Sequence, residues 1–211
     1  MYLGRIVAIA MNKEGNVSAL YRVSSRSFPN RETVRKDDIV SVMPRAGFED
    51  DLKKNPYITY NCVRFAGSWA VVSNGSQTDP IAEKIAMGYP VRDAMTIGLL
   101  AMDYEKDSYN TPRIVAAVDS KSNVGYLGIV RHDAVAVRPF ELTPGKLFYL
   151  STYEKNFPCQ HNFDGNFDAE TAEAACRYSI DGGVFADFSN PVTAAAVLLN
   201  GEKFELATMN A

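Results

Sequence analysis

The chain has 211 residues, 46% of them apolar and 22% charged, with a formal net charge of −3. These values exclude a disordered chain, a collagen-like chain and a coiled coil, and the length suits one domain that buries roughly 70% of its unfolded surface. The charge is uneven: residues 1–36 hold seven basic residues against two acidic ones, so the remaining residues are strongly acidic, a split that argues against a general nucleic-acid binder and favours a small anionic ligand.

The N-terminal half reads as sheet. Residues 2–10 are apolar and partly β-branched, residues 12–15 are turn formers, and residues 17–23 return as a second strand, so the pair predicts a hairpin. Residues 39–43, 57–65 and 69–73 are further strands, the last two joined by Ala66-Gly67-Ser68. Asp79-Pro80 then opens a helix whose Ile81, Ala82, Ile85 and Ala86 form an apolar stripe ending at Gly88. Val91, Ala94, Met95, Gly98 and Met102 repeat the helical spacing. Residues 113–118, 126–130, 134–138 and 147–152 return to strands, and residues 157–167 form a polar loop. Residues 168–180 predict a third helix closed by Gly182-Gly183, residues 184–188 a short strand, residues 192–199 a small apolar helix after Pro191, and residues 204–207 a last strand. This order is not a regular βαβ alternation, so it predicts antiparallel sheets with helices outside them.

No apolar run approaches the ~20 residues of a membrane span, and the first residues lack the pattern of a signal peptide. Cys62, Cys159 and Cys176 are odd in number and scattered, which gives neither a disulfide framework nor paired metal-ligand spacing. A reduced, cytoplasmic protein is expected.

Four stretches carry chemistry. Residues 21–31 hold Arg22, Arg26 and Arg31 with three serines and no acid between them. Guanidinium forks match phosphate geometry, so this stretch reads as an anion site rather than a solvated loop. Residues 55–64 place Tyr60, Cys62 and Arg64 on one face of a strand by simple alternation. Tyr60 beside a cation can move a proton, although an ordinary half-buried tyrosine is the plainer reading, and Cys62 has no histidine nearby to activate it. Ser73-Asn74-Gly75-Ser76 is a donor-rich turn before a helix, able to bind an anion or simply to cap the helix, and it lacks the lysine of a P-loop. Asp103, Glu105 and Asp107, followed by Asn110 and Arg113, cluster acids where a helix ends, an unfavourable choice against the helix dipole that can mark a site. His132 and His161 are the only histidines, so a three-histidine zinc site is excluded.

Taken together, MYLGRIVAI, YRVSSRSFPNR, NPYITYNCVR, VVSNGSQTDPIAEKIAMG, LLAMDYEKDSYNTPRI and NPVTAAA resemble, in this order, the archaeal-type IMP cyclohydrolase family. Only residues 119–181 carry no motif of that family. The resemblance implies an α+β fold similar to the N-terminal nucleophile hydrolases, a four-layer αββα sandwich of two mostly antiparallel sheets flanked by helices. The N-terminal nucleophile itself is missing, because Met1 is followed by the bulky Tyr2. The fold is then expected to be reused without acyl transfer.

The resemblance also implies the last step of purine synthesis. 5-Formamidoimidazole-4-carboxamide ribonucleotide (FAICAR) closes to IMP with loss of water, with no cofactor and no metal. Its implied catalytic residues are Arg31, Tyr60 and Glu105. In that reading Arg31 holds Tyr60 near a useful pKa and polarises the formyl oxygen, Tyr60 relays a proton, and Glu105 orients or deprotonates the carboxamide. Arg22, Arg26, Ser73, Asn74, Gly75 and Ser76 are expected at the phosphate and ribose, and Asp103, Asn110 and Arg113 at the base or in support. A homo-oligomer is expected, with no nucleic-acid or membrane partner. The rival readings are a catalytically silent nucleotide-binding module and an amide hydrolase that uses Cys62 or a serine as nucleophile.

Overall fold

The computed structural model describes all residues, Met1–Ala211. Its strands are β1 (Ile6–Met11), β2 (Val17–Ser24), β3 (Arg31–Lys36), β4 (Ile39–Pro44), β5 (Tyr60–Ala66), β6 (Trp69–Ser73), β7 (Arg113–Asp119), β8 (Val124–Val130), β9 (Val135–Glu141), β10 (Lys146–Ser151), β11 (Phe163–Asp164), β12 (Pro191–Asn200) and β13 (Lys203–Asn210). The α-helices are α1 (Asp51–Lys54), α2 (Thr78–Ala86), α3 (Val91–Met102) and α4 (Ala172–Asp181), with 3-10 turns at Pro56–Ile58 and Gly183–Asp187.

One sheet runs β11-β10-β1-β2-β12-β13 and the other β3-β4-β5-β6-β7-β8-β9. Every neighbouring pair is antiparallel. Alternation along β1 explains the layering. Val7, Ile9 and Met11 face a core shared with the second sheet, whereas Ile6, Ala8 and Ala10 face a core shared with α4. A third core lies between the second sheet and α2 and α3. Three cores between four layers give the αββα sandwich. At the crossing of α2 and α3, a Cβ on Gly98 would lie 2.4 Å from Ile81 Cγ1, so only glycine allows that approach. No helix is long and apolar enough to cross a membrane.

Four readings change. The strand expected over residues 57–65 begins only at Tyr60, after the 3-10 turn Pro56–Ile58 that Pro56 opens. The apolar run at residues 192–199 is not a helix but most of β12, a central strand paired with β2 and β13. A short run of small apolar residues does not distinguish a buried helix from a strand covered on both faces, and here the sheet decides. Residues 184–188 turn as a 3-10 segment rather than extend. The strand β3 went unread because RETVRK is mostly charged; it is the edge of its sheet and exposes Val34, Arg35 and Lys36 to solvent.

Candidate active site

At one end of the sandwich, chain segments that enter or leave the strands converge on a cleft of about 300 Å³. Tyr2 and Arg5 precede β1, residues 25–28 lie in the connection from β2 to β3, Arg31 opens β3, and Asn55, Tyr57 and Ile58 precede β5. Glu105, Asp107 and Tyr109 lie between α3 and β7, and Tyr153 follows β10. Antiparallel pairing brings these ends together: Ile6 at the start of β1 lies opposite both Arg22 near the end of β2 and Ser151 at the end of β10.

The centre of the cleft is an ion pair. Arg5 Nη2 donates to Glu105 Oε2 at 3.0 Å, and Glu105 is only 2% exposed. Glu105 Oε1 is closed off from solvent and accepts no hydrogen bond. Burial raises the Glu105 carboxyl above the usual carboxylate range, against the pull of Arg5, Arg113 and Arg31. Burial also opposes charge on Arg5, but Glu105 and the tyrosines Tyr60, Tyr153 and Tyr21 outweigh it, and the guanidinium stays firmly protonated. A buried carboxylate with one oxygen held and the other unpartnered is poised to take a proton.

Arg31, at the head of β3, anchors its Nε on the Phe28 carbonyl at 3.1 Å. Its terminal nitrogens make no hydrogen bond within the chain, so the fork is free for an oxyanion. Tyr60 lies just beneath the lining, its hydroxyl 2.6 Å from that of Tyr21 across the gap between the sheets. The expected pKa tuning of Tyr60 comes out differently. Burial pushes the phenol up, and the opposing fields of Arg31 and Arg5 do not cancel it, so Tyr60 is a neutral phenol near pH 7. A neutral phenol gives a proton before it takes one.

A polar scaffold holds the loop that carries Glu105. Arg113 Nε donates to the Asp103 carbonyl at 2.7 Å, and its Nη1 donates to Gln77 Oε1 at 3.1 Å. Gln77 Nε2 donates to Asn74 Oδ1 at 2.9 Å, and Asn74 Nδ2 donates to the Pro112 carbonyl at 3.0 Å. A Cβ at Gly75 would lie 2.2 Å from Arg113 Nη1, so the turn must be bare there. Asp107 accepts from the Thr111 amide and hydroxyl and closes the loop on itself. Asp103 and Asn110 both take positive φ, 53° and 48°, where the chain leaves α3 and turns back toward β7.

Of the residues singled out from the sequence, Arg26, Arg31 and Glu105 line the cleft, and Tyr60 and Arg113 lie behind it. Arg26 stacks its guanidinium 4.1 Å over the Tyr2 ring at the cleft wall and is otherwise unpaired. Arg22 is placed elsewhere. Alternation puts Tyr21 and Val23 on the face between the sheets and turns Arg22 under α4. There it donates to the carbonyls of Ser179 and Ile180 at the end of α4 and of Phe185 and Phe188 in and after the following 3-10 turn, and no donor is left for a phosphate. Ser73, Asn74 and Gly75 are buried in the scaffold and Ser76 is exposed; none of the four lines the cleft. Asp103 is tied to Lys106, and Asn110 lies on the outside of its turn.

Strand parity also fails at β5. A register shift against β4 skips Cys62, so Arg64 joins Asn61 on Asp79 of α2 while Cys62 stays between the sheets. Cys62 is fully buried, its thiol raised by burial, and it does not reach the cleft, which removes it as a nucleophile. Sequence reasoning missed Arg5 and the aromatic wall of Tyr2, Tyr57, Tyr109 and Tyr153. Arg5 had a signal, being the one charge in the otherwise apolar stretch MYLGRIVAIAM.

The family model described as IMP cyclohydrolase-like protein matches residues 2–203. A relative from Methanosphaera stadtmanae named IMP cyclohydrolase is 47% identical over the whole of both chains. One of the same name from Methanococcus maripaludis (strain C7) is 45% identical over 99% of this chain and all of its own. A third, from Halobacterium salinarum, is 46% identical over all of this chain and 99% of its own. With the match running almost from end to end over the fold and cleft just described, the chain belongs to the IMP cyclohydrolase-like family.

Proposed function

We propose that the chain is an IMP cyclohydrolase that closes FAICAR to IMP and water in this cleft. The observation that carries the reading is one buried carboxylate, Glu105, sharing a lining with a free guanidinium, Arg31, above a neutral phenol, Tyr60. A carboxamide nitrogen is a weak nucleophile and a formyl oxygen gains charge on attack, so ring closure needs a base on one side and donors on the other.

In the balanced sequence Glu105 takes a proton from the carboxamide nitrogen as the new N–C bond forms. The formyl oxygen, held by Arg31, receives the Tyr60 proton and becomes a hydroxyl. The hydroxyl leaves as water with the proton Glu105 carried, the former formamide nitrogen returns its proton to the Tyr60 oxygen, and the C=N bond of IMP forms. Both side chains end as they began.

Arg26 with Ser25 and Ser27 offers cation and hydroxyl donors for the phosphate, and the tyrosines offer faces for the base. The reading places the enzyme in the cytoplasm. It also favours a homo-oligomer, which the exposed Ile97 and Leu100 on the outer face of α3 support.

The test is turnover of FAICAR by the purified chain without folate, followed by IMP absorbance. Glu105→Gln is expected to lower kcat by about two to four orders of magnitude while IMP still binds. Wild-type turnover by that variant would refute Glu105 as the base, and IMP binding without any turnover by the native chain would mark a silent module.

A further inference from the structure

Tyr21 is a buried polar group that the ring-closing sequence leaves unused. It stands on β2, in the sheet opposite Tyr60, with the two hydroxyls 2.6 Å apart and Tyr21 wholly buried. Neither hydroxyl has another partner within the chain. Each phenol carries one proton, and a single contact uses one of the two. The other O–H needs an acceptor, because a buried donor without one loses its hydration for nothing. If Tyr60 donated to Tyr21, the stranded proton would be on Tyr21, closed in between the sheets. If Tyr21 donates, the free proton is on Tyr60, which lies directly behind the lining residues Arg5 and Arg31. Only the second arrangement leaves no donor stranded once a substrate oxygen is in place.

We infer that Tyr21 is a positioning residue whose O–H donates to the Tyr60 oxygen, turning the Tyr60 proton toward the cleft and fixing Tyr60 as the proton donor to the substrate oxygen. The inference rests on the role proposed for Tyr60 in ring closure. As Tyr60 gives up its proton, its oxygen gains negative charge, and the hydrogen bond from Tyr21 strengthens at that moment. The charged and titratable groups facing Tyr60 are Arg5 ahead of β1, Tyr21 on β2, Arg31 on β3, Arg113 on β7 and Cys62 on its own strand. Arg5, Arg31 and Arg113 remain in place when Tyr21 is altered, so a change in the pH profile reports the lost hydroxyl.

The experiment measures kcat and KM for FAICAR from about pH 7 to about pH 11, a range that covers the onset of ionisation of a phenol held above its ordinary value, in the native chain, Tyr21→Phe, Tyr60→Phe and the double variant. Tyr21→Phe is expected to lower kcat by about 10- to 100-fold, the worth of a hydrogen bond to a charged oxygen, with KM unchanged. Its alkaline limb should move to higher pH, because the Tyr60 phenolate has lost a donor. In the Tyr60→Phe background the same change should have no further effect. Replacing Tyr21 with 3-fluorotyrosine, a stronger donor of the same shape, should move the limb to lower pH and keeps the test open if Tyr21→Phe folds poorly. A native kcat and limb in Tyr21→Phe, or an equal loss in both backgrounds, overturns the inference while a Tyr60→Phe lowered by about two to four orders of magnitude leaves the Tyr60 role standing. A fully active Tyr60→Phe overturns both.

Discussion

Replacing Arg5 with methionine keeps most of the side-chain volume and removes the only hydrogen-bond partner of the Glu105 carboxylate. Glu105 is 2% exposed and Arg5 14%, so the variant leaves a buried carboxylate with no hydrogen-bond partner and only the more distant fields of Arg113 and Arg31. Breaking one side of such a pair costs about 3–5 kcal/mol, and the slight exposure of Arg5 places the expected loss near about 3 kcal/mol. For a chain of this length that corresponds to a fall in Tm of about 6–12 °C. The loss depends on pH. The folded-state pKa of Glu105 lies above its unfolded value, so the group favours the folded state only while protonated, and this contribution disappears as pH rises through the folded pKa. Removing Arg5 raises that pKa further. The destabilisation should therefore be largest near about pH 8 and small below the ordinary carboxylate range. The same change should carry the acidic limb of the rate profile to higher pH, so that more activity is lost in mild acid than in mild base. Thermal unfolding by circular dichroism across the pH range, with FAICAR turnover on the same samples, reads both effects. An equal fall in Tm at all pH values, or an unmoved acidic limb, would refute the account of Arg5 as the group that holds Glu105 ionised.

Two further substitutions separate the arginines of the basic segment. Arg26→Ala should raise the KM for FAICAR by about 10-fold or more with little change in kcat, since a phosphate contact binds substrate and transition state alike; a KM within twofold of native would remove Arg26 from the site. Arg22→Leu should leave KM and kcat unchanged while lowering stability by about 3 kcal/mol or more, because the carbonyls at the end of α4 and in the 3-10 turn after it lose their donor inside the protein. A raised KM with unchanged Tm in that variant would return Arg22 to the ligand.

Much of the sandwich is legible in the residues. The hairpin of β1 and β2 and the apolar stripes of α2 and α3 follow from period and turn chemistry, and the structure keeps them. The expected Asp79 cap is not kept: α2 starts earlier, at Thr78, and the Asp79 carboxylate accepts from Asn61 and Arg64 instead. What misleads is burial on both faces. In β12 the run VTAAAVLL has no polar face to set its period, so alanine propensity suggests a helix where the neighbouring strands impose extension. In β5 a single skipped residue reverses the parity that placed Arg64 beside Tyr60. The site was less legible than the fold for a related reason. A short sequence interval shows which side chains are charged but not which face of a sheet they leave from. Tyr153 had no local signal at all, since it enters the cleft only through the pairing of β10 with β1.

The basic N-terminal segment shows what charge counting can and cannot do. Its seven cations face at least three different surroundings. Arg5, Arg26 and Arg31 reach the cleft, Arg22 caps the end of α4, and Arg35 donates to the Leu206 carbonyl on β13. What separates the first group from the others is the company each keeps. Arg22 has its donors committed to backbone carbonyls, while Arg26 and Arg31 keep free guanidinium nitrogens beside hydroxyls and an aromatic wall. Arg5 alone meets a carboxylate there. That pairing opposes the burial that raises the Glu105 carboxyl, in a cleft otherwise rich in cations, and the proposed ring closure uses such an acid beside the free fork of Arg31.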